Sequence, residues 1–197
     1  DVVVGQKDFN SAAAVSPNQN SLRAPSGVWI YDGKLFVADT FDNRVLIYNK
    51  IPTSNYAAAD VVLGQTSFTA FVQPDLTQAN GVATSSNMQT PVSVTTDGTH
   101  LFVSDLAQNR VLIWDGIPTT NGAAASVEVG QPDMASSITN NSYTATTAVD
   151  ADNNPTDVTP VLCGPNGTDT VTGTTLYPVR CEKTLSFPRF AFSDGTR

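Results

Sequence analysis

Basic residues are scarce in this sequence. Its 197 residues include 10 Lys and Arg and a single His against 18 Asp and Glu, for a net charge of -8. Nucleic acid is therefore excluded as a main partner, because phosphate binding needs a basic surface. Charge of either sign is thin at 14%, against about 25% in typical soluble domains. A coiled coil or helix bundle, whose surface needs Glu, Lys and Arg, is disfavoured. No apolar run is long enough for a membrane span, and no signal peptide is visible, which a processed secreted chain would have lost. The two cysteines match neither a haem-attachment nor a zinc spacing. G-x-S-x-G, H-E-x-x-H and a phosphate-binding Gly-Lys-Ser/Thr loop are all missing. What fills the space is Ser, Thr, Asn and Gln, with 13 Gly and 12 Pro.

An internal repeat organises the chain. The segment PSGVWIYDGKLFVADTFDNRVLIYNKIPTSNYAAADVVLGQ (Pro25 to Gln65) aligns without a gap on PVSVTTDGTHLFVSDLAQNRVLIWDGIPTTNGAAASVEVGQ (Pro91 to Gln131), at an offset of 66 (91 − 25). Partial copies flank the pair: Asp1-Val-Val-Val-Gly-Gln6 matches the end of a repeat, and Pro188 to Arg197 matches its beginning. Phe9, Phe68 and Met134 each stand three residues past the repeated Gln and are expected to be one shared buried anchor.

Each repeat reads as four short strands. The first is expected at Gly27–Tyr31 before a Gly turn. The second, Leu35–Ala38 or Leu101–Ser104, is an apolar run suited to burial on both faces. The third is Arg44–Tyr48 or Arg110–Trp114. Ile-Pro then breaks the ladder, and the fourth is Val61–Leu63 or Val127–Val129. Four antiparallel strands per unit is the pattern of a propeller blade. The expected class is all-β, a β-propeller of four-stranded antiparallel blades. Residues 25–65 and 91–131 are the blades, 1–6 a last strand, 188–197 a first strand, and 135–185 an insertion loop. Trp29, Trp114, Tyr31 and Tyr48 are expected in inter-blade packing.

Val37-Ala-Asp-Thr-Phe-Asp-Asn-Arg-Val-Leu-Ile-Tyr48 and Val103-Ser-Asp-Leu-Ala-Gln-Asn-Arg-Val-Leu-Ile-Trp114 resemble the NHL repeat, whose core reads V-A-D-x-x-N-N-R-[IV]. With its Ile-Pro-Thr and Val-x-Gly-Gln elements the repeat is similar to that of secreted bacterial NHL propellers. The resemblance implies a ring of six blades, of which about 2.5 are present here. The chain is then expected to be a fragment of a longer protein, or one of several chains that assemble. The family spans scaffolds, RNA binders and enzymes, so the resemblance speaks for fold more than for activity.

A four-stranded meander puts the loops before the first strand and between the second and third on one face. The connections from Gln6 to Pro25, Gln65 to Pro91 and Gln131 to Pro188 therefore share a face with Asp39–Arg44 and Asp105–Arg110. All the variable length falls there, where binding usually lives. Asp39, Asn43 and Arg44, with Asp105, Asn109 and Arg110, recur in both repeats. Recurrence marks them as a bracing network rather than a ring of reactive groups.

The longest connection is acidic. From Val111 to Val179 there is no Lys, Arg or His, against seven acids. Within it Asp150-Ala-Asp152-Asn-Asn154-Pro-Thr-Asp157 resembles the opening of a calcium loop, with Asp150, Asp152, Asn154 and Asp157 as candidate Ca²⁺ ligands. Pro155 stands where that loop needs Gly and Val161 where it needs Glu, so a solvated acidic loop is the competing reading. Cys163 and Cys181 are expected to pair, which implies an extracellular, cell-surface or periplasmic setting. Asn140 and Asn166 head glycosylation sequons, meaningful only in a eukaryotic secretory host. The leading expectation is a binding or scaffold module that engages a protein or another extracellular ligand through the long-loop face. Two alternatives stand beside it. One is a metal-dependent lyase or lactonase-like propeller enzyme whose site lies in further blades. The other is a structural subunit of an extracellular assembly.

Overall fold

The computed structural model describes residues 1–13, 15–74, 83–137, 143–145, 158–160 and 162–195, with backbone alone for 143–145 and 158–160. The described residues form two four-stranded antiparallel sheets and two small hairpins, with no α-helix. The first sheet is β1 (Gly27–Tyr31), β2 (Lys34–Asp39), β3 (Arg44–Tyr48) and β4 (Val61–Leu63). The second is β5 (Pro91–Thr96), β6 (His100–Asp105), β7 (Arg110–Asp115) and β8 (Val127–Val129). In both, strand order follows chain order.

Local chemistry explains the turns. Asp32 and Gly33 both take positive φ (45° and 70°) between Tyr31 and Lys34, which pair. Such a two-residue turn matches the twist of the strands it joins. In the second sheet Asp97 does this work with its side chain, Oδ1 accepting from the N–H groups of Thr99 and His100 at 2.8 and 2.7 Å. After β2 a single 3-10 turn (Thr40–Asp42) ends on Asn43 in the left-handed region, and Asn109 repeats that conformation after β6. Asn tolerates it better than most residues, since its short side chain can hydrogen-bond locally.

The two sheets pack face to face. Phe36, Val45, Ile47, Val61 and Leu63 of the first meet Val94, Leu101, Val103, Leu112 and Trp114 of the second in one buried cluster, with Met88 between them. Burial of that apolar surface, at about 25 cal/mol per Å², is the main cohesive term between the sheets. At Gly27 the backbones approach closely, and a Cβ there would lie 2.8 Å from the Ser93 Cα. On its other side the first sheet buries Leu35, Val37, Leu46, Tyr48 and Val62 against Val4, Leu22 and Phe68. Trp114 and Tyr48 are thus core, Trp29 packs partly buried on the inter-sheet cluster, and Tyr31 reaches over Gly98.

The flanking partial copies sit in register with the sheets but form no ladder of their own. Asp1–Gln6 makes only an isolated bridge, Gly5 to Ser21. Its place is nevertheless fixed: Val3 N donates to Asn55 Oδ1 at 3.0 Å, and Tyr56 N donates to Val3 O at 3.1 Å. One repeat later Val62 N donates to Asn121 Oδ1 at 3.0 Å, and Gly122 N donates to Val62 O at 2.8 Å. At the other end Thr95 Oγ1 donates to Ala191 O at 2.7 Å, and the rings of Trp29 and Phe192 lie 6.0 Å apart. Residues 188–195 therefore run beside β5 without pairing in a sheet.

Phe68 and Met134 pack against the cores, as the repeat implied, but Phe9 does not. It is 65% exposed, because no sheet of the described residues lies on its side of the molecule. The long insertion holds two short hairpins, β9 (Tyr143–Ala145) with β10 (Val158–Pro160), and β11 (Gly167–Thr168) with β12 (Thr175–Leu176). A disulfide joins Cys163 to Cys181, with Cα atoms 5.9 Å apart.

Candidate functional site

The Asp–Arg pairs are closed to solvent. Arg44 Nε donates to Asp39 Oδ2 at 2.7 Å, and both side chains are fully buried. The rest of the guanidinium donates to Phe68 O at 2.7 Å and Ser21 O at 2.9 Å, while Arg23 N donates to Asp39 Oδ1. Arg110 repeats this with Asp105 Oδ2 at 3.0 Å, Met134 O and Asn87 O at 3.0 Å, while Gln89 N donates to Asp105 Oδ1. Each Arg fork thus ties the loop before its first strand to the loop after its fourth. Burial pushes Asp39 and Asp105 up to about 6, against the pull of the arginines and backbone N–H groups. A group that no ligand can reach does no surface chemistry, and these are braces.

Asn43 and Asn109 act between units. Asn43 Oδ1 accepts from Thr90 N at 2.9 Å and Asn109 Oδ1 accepts from Phe187 N at 3.1 Å. Thr90 and Phe187 each precede the Pro that opens a repeat, and both carry positive φ. The candidate Ca²⁺ ligands Asp150, Asp152, Asn154 and Asp157 lie outside the described residues, as does Asn140. Asn166 lies exposed in the β11–β12 hairpin.

His100 is partly exposed at the opposite face, its ring nitrogens 3.5 Å from Asp97 Oδ2 and 3.9 Å from Asp115 Oδ1. It borders a cavity of about 380 Å³ with Phe102, Ile113, Val127 and Ser193. Phe102, Ile113 and Val127 correspond, one repeat on, to Phe36, Ile47 and Val61, which the second sheet covers. Val61 is 3% exposed and Val127 48%, so the cavity is the uncovered side of an inter-sheet face.

The long-loop face carries a different cavity, of about 210 Å³, walled by Arg23, Phe41, Phe71, Gln73 and Asn43. Phe41 and Phe71 are exposed to solvent. Among the described residues the Arg23 side chain makes no hydrogen bond or ion pair; its charge acts on buried Asp42, whose carboxyl is raised by burial and lowered by Arg44 and Arg23. These positions went unnoticed in the sequence because they break the repeat: Gln89, Ala107 and Ser137 stand at the equivalent places. Difference between otherwise matching repeats was the signal that could have found them. Comparison with protein-family models finds no matching family, and comparison with curated proteins finds no significant relative.

Proposed function

We propose that this chain is part of a secreted or surface β-propeller of NHL type, and that it serves as a binding or scaffold module through the face bearing the long inter-blade connections. The observation that carries the reading is the one-sidedness of the molecule. Braces and straps repeat from unit to unit, while the connections before β1 and after β4, which differ between the repeats, meet the β2–β3 turn at Arg23, Phe41 and Phe71. A repeated frame with one variable face is the layout of a recognition protein.

Three further features support the propeller. Contacts step regularly along the chain, from Asn43 to Thr90 and from Asn109 to Phe187. Asp1–Gln6 is strapped by Asn55 as the fourth strand β4 is strapped by Asn121. The two outer sheet faces also present what the inner interface buries: Val28 is 64% exposed where its counterpart Val94 is 2%. A further blade on each side would cover both. The Cys163–Cys181 bond supports an oxidising compartment.

Labelled protein added to intact producing cells and to their secreted material tests the function. Charge reversal on the loop face is expected to abolish retention, and reversal at the opposite end at Lys34 and Asp115 to leave it unchanged. Equal retention of both variants would overturn the reading.

A further inference from the structure

The two repeats differ most tellingly at one amide. In the second sheet Asn109 Nδ2 donates to Ser137 O at 3.2 Å. In the first, Phe71 stands at the place of Ser137, and among the described residues no carbonyl accepts from the Asn43 amide. Asn43 is only 4% exposed, and its Oδ1 is occupied by Thr90 N, yet its Nδ2 has no acceptor among the described residues. Asn43 and Arg23 both line the 210 Å³ cavity. One neutral and one cationic side chain thus border one space, with Gln73 and Thr40 also at its wall.

Resting on the binding role of this face, we infer that the cavity is a site for a small carboxylate whose body is a single ring. One carboxylate oxygen replaces the missing carbonyl on Asn43 Nδ2, and the other meets Arg23, whose planar fork suits a carboxylate. Phe41 and Phe71 supply apolar walls for the ring, and Gln73 offers an amide at the rim. The volume lies below the about 300–1,000 Å³ of pockets for drug-sized ligands, which limits the guest to one ring. Phosphate is the poorer fit, since the flanking phenyl rings offer it nothing. The chemistry is shared by free aromatic acids and by carboxylated sugars.

Titration of the whole chain with benzoate, galacturonate and the uncharged benzyl alcohol tests this, followed by calorimetry and by the side-chain amide resonances. A saturable dissociation constant on the order of 1 mM or tighter is expected for at least one acid, with a shift of the Asn43 amide signal. Binding of benzoate alone identifies an aromatic acid, and of galacturonate alone a sugar acid. Arg23→Gln and Phe41→Ala install the residues that the second repeat carries, so folding tolerates them. Arg23→Gln is expected to weaken binding by on the order of tenfold, and Phe41→Ala by several-fold, each measured well below the variant's own melting temperature. Failure of both acids to saturate, equal binding of benzyl alcohol, a still Asn43 amide, or full affinity in Arg23→Gln would each overturn the site. Retention on cells that depends on the loop face would survive such a failure and keep the wider reading intact.

Discussion

The side-chain oxygen of Asn43 accepts a hydrogen bond from the backbone N–H of Thr90 at 2.9 Å, across the boundary between two sheets. One residue thereby performs two tasks. Its left-handed backbone turns the chain from the 3-10 segment into β3, and its amide holds the entry to the next repeat. Replacement separates the two. Asn43→Ala is expected to lose about 1–2 kcal/mol from left-handed strain and about 1 kcal/mol from the hydrogen bond. Asn43→Gly keeps the conformation and loses mainly the bond. Denaturant unfolding should place Gly above Ala in stability, and the reverse order would show that the turn carries no strain.

Arg110 makes the stronger case for bracing. Removing its charge leaves Asp105 buried without a counter-charge, which costs about 3–5 kcal/mol when one partner of a buried pair is lost. Arg110→Met is therefore expected to unfold the second sheet early in a thermal melt. Arg110→Lys should rescue little, because an ammonium cannot reach Asp105, Met134, Thr84 and Asn87 from one position. Asp42 offers the converse test. Both its oxygens are buried and accept no hydrogen bond, whereas Gln108, at the equivalent place, accepts one from Arg110. Asp42→Gln is expected to be neutral or to stabilise by about 1 kcal/mol. A loss of that size would mean the Arg44–Asp42 approach at 3.5 Å is worth more than its geometry suggests.

Gly64 and Gly33 both sit at positive φ, 85° and 70°, but in different surroundings. A Cβ at Gly64 would lie 2.5 Å from Met88 Cγ and 2.8 Å from the Asn43 carbonyl oxygen, while one at Gly33 would meet nothing within 4 Å. Gly33→Ala should therefore cost only the conformational strain, about 1 kcal/mol. Gly64→Ala adds a clash with backbone and is expected to cost several-fold more. Equal melting temperatures for the two variants would count against the tight seat of this glycine between repeats.

Repetition made the frame legible in the sequence. Strands β1, β3, β4 and β8 fall on the residues that apolar patterning and the Ile-Pro break indicated, because each answers to local rules and two copies agree. The Asp–Arg nodes were legible for the same reason. The cavity at Arg23 was not, since its walls come from the loop before β1, the β2–β3 turn and the loop after β4. No local pattern joins those three, and the repeat average erases them. Phe9 erred in the opposite direction: its place in the repeat predicts burial, but burial needs a neighbouring sheet, and a motif carries no information about neighbours.

Asp97 ties solution pH to the packing of the segment beside β5. Burial alone would raise its carboxyl, but the N–H groups of His100 and Thr99 and the Ser193 hydroxyl outweigh it and take it down to about 2. Its ordinary value is 3.8, so the folded state binds the proton less readily than the unfolded chain. The resulting stabilisation is complete above that ordinary value and is lost as pH falls from about 4 toward 2. Protonation also weakens the bond from Ser193 Oγ, which donates to Asp97 Oδ2 at 2.9 Å, by removing the charge that assists it. Melting temperatures measured across this window should fall more steeply for the native chain than for Asp97→Asn, which cannot ionise. Parallel curves would show that the aspartate turn and its Ser193 contact contribute nothing to acid sensitivity.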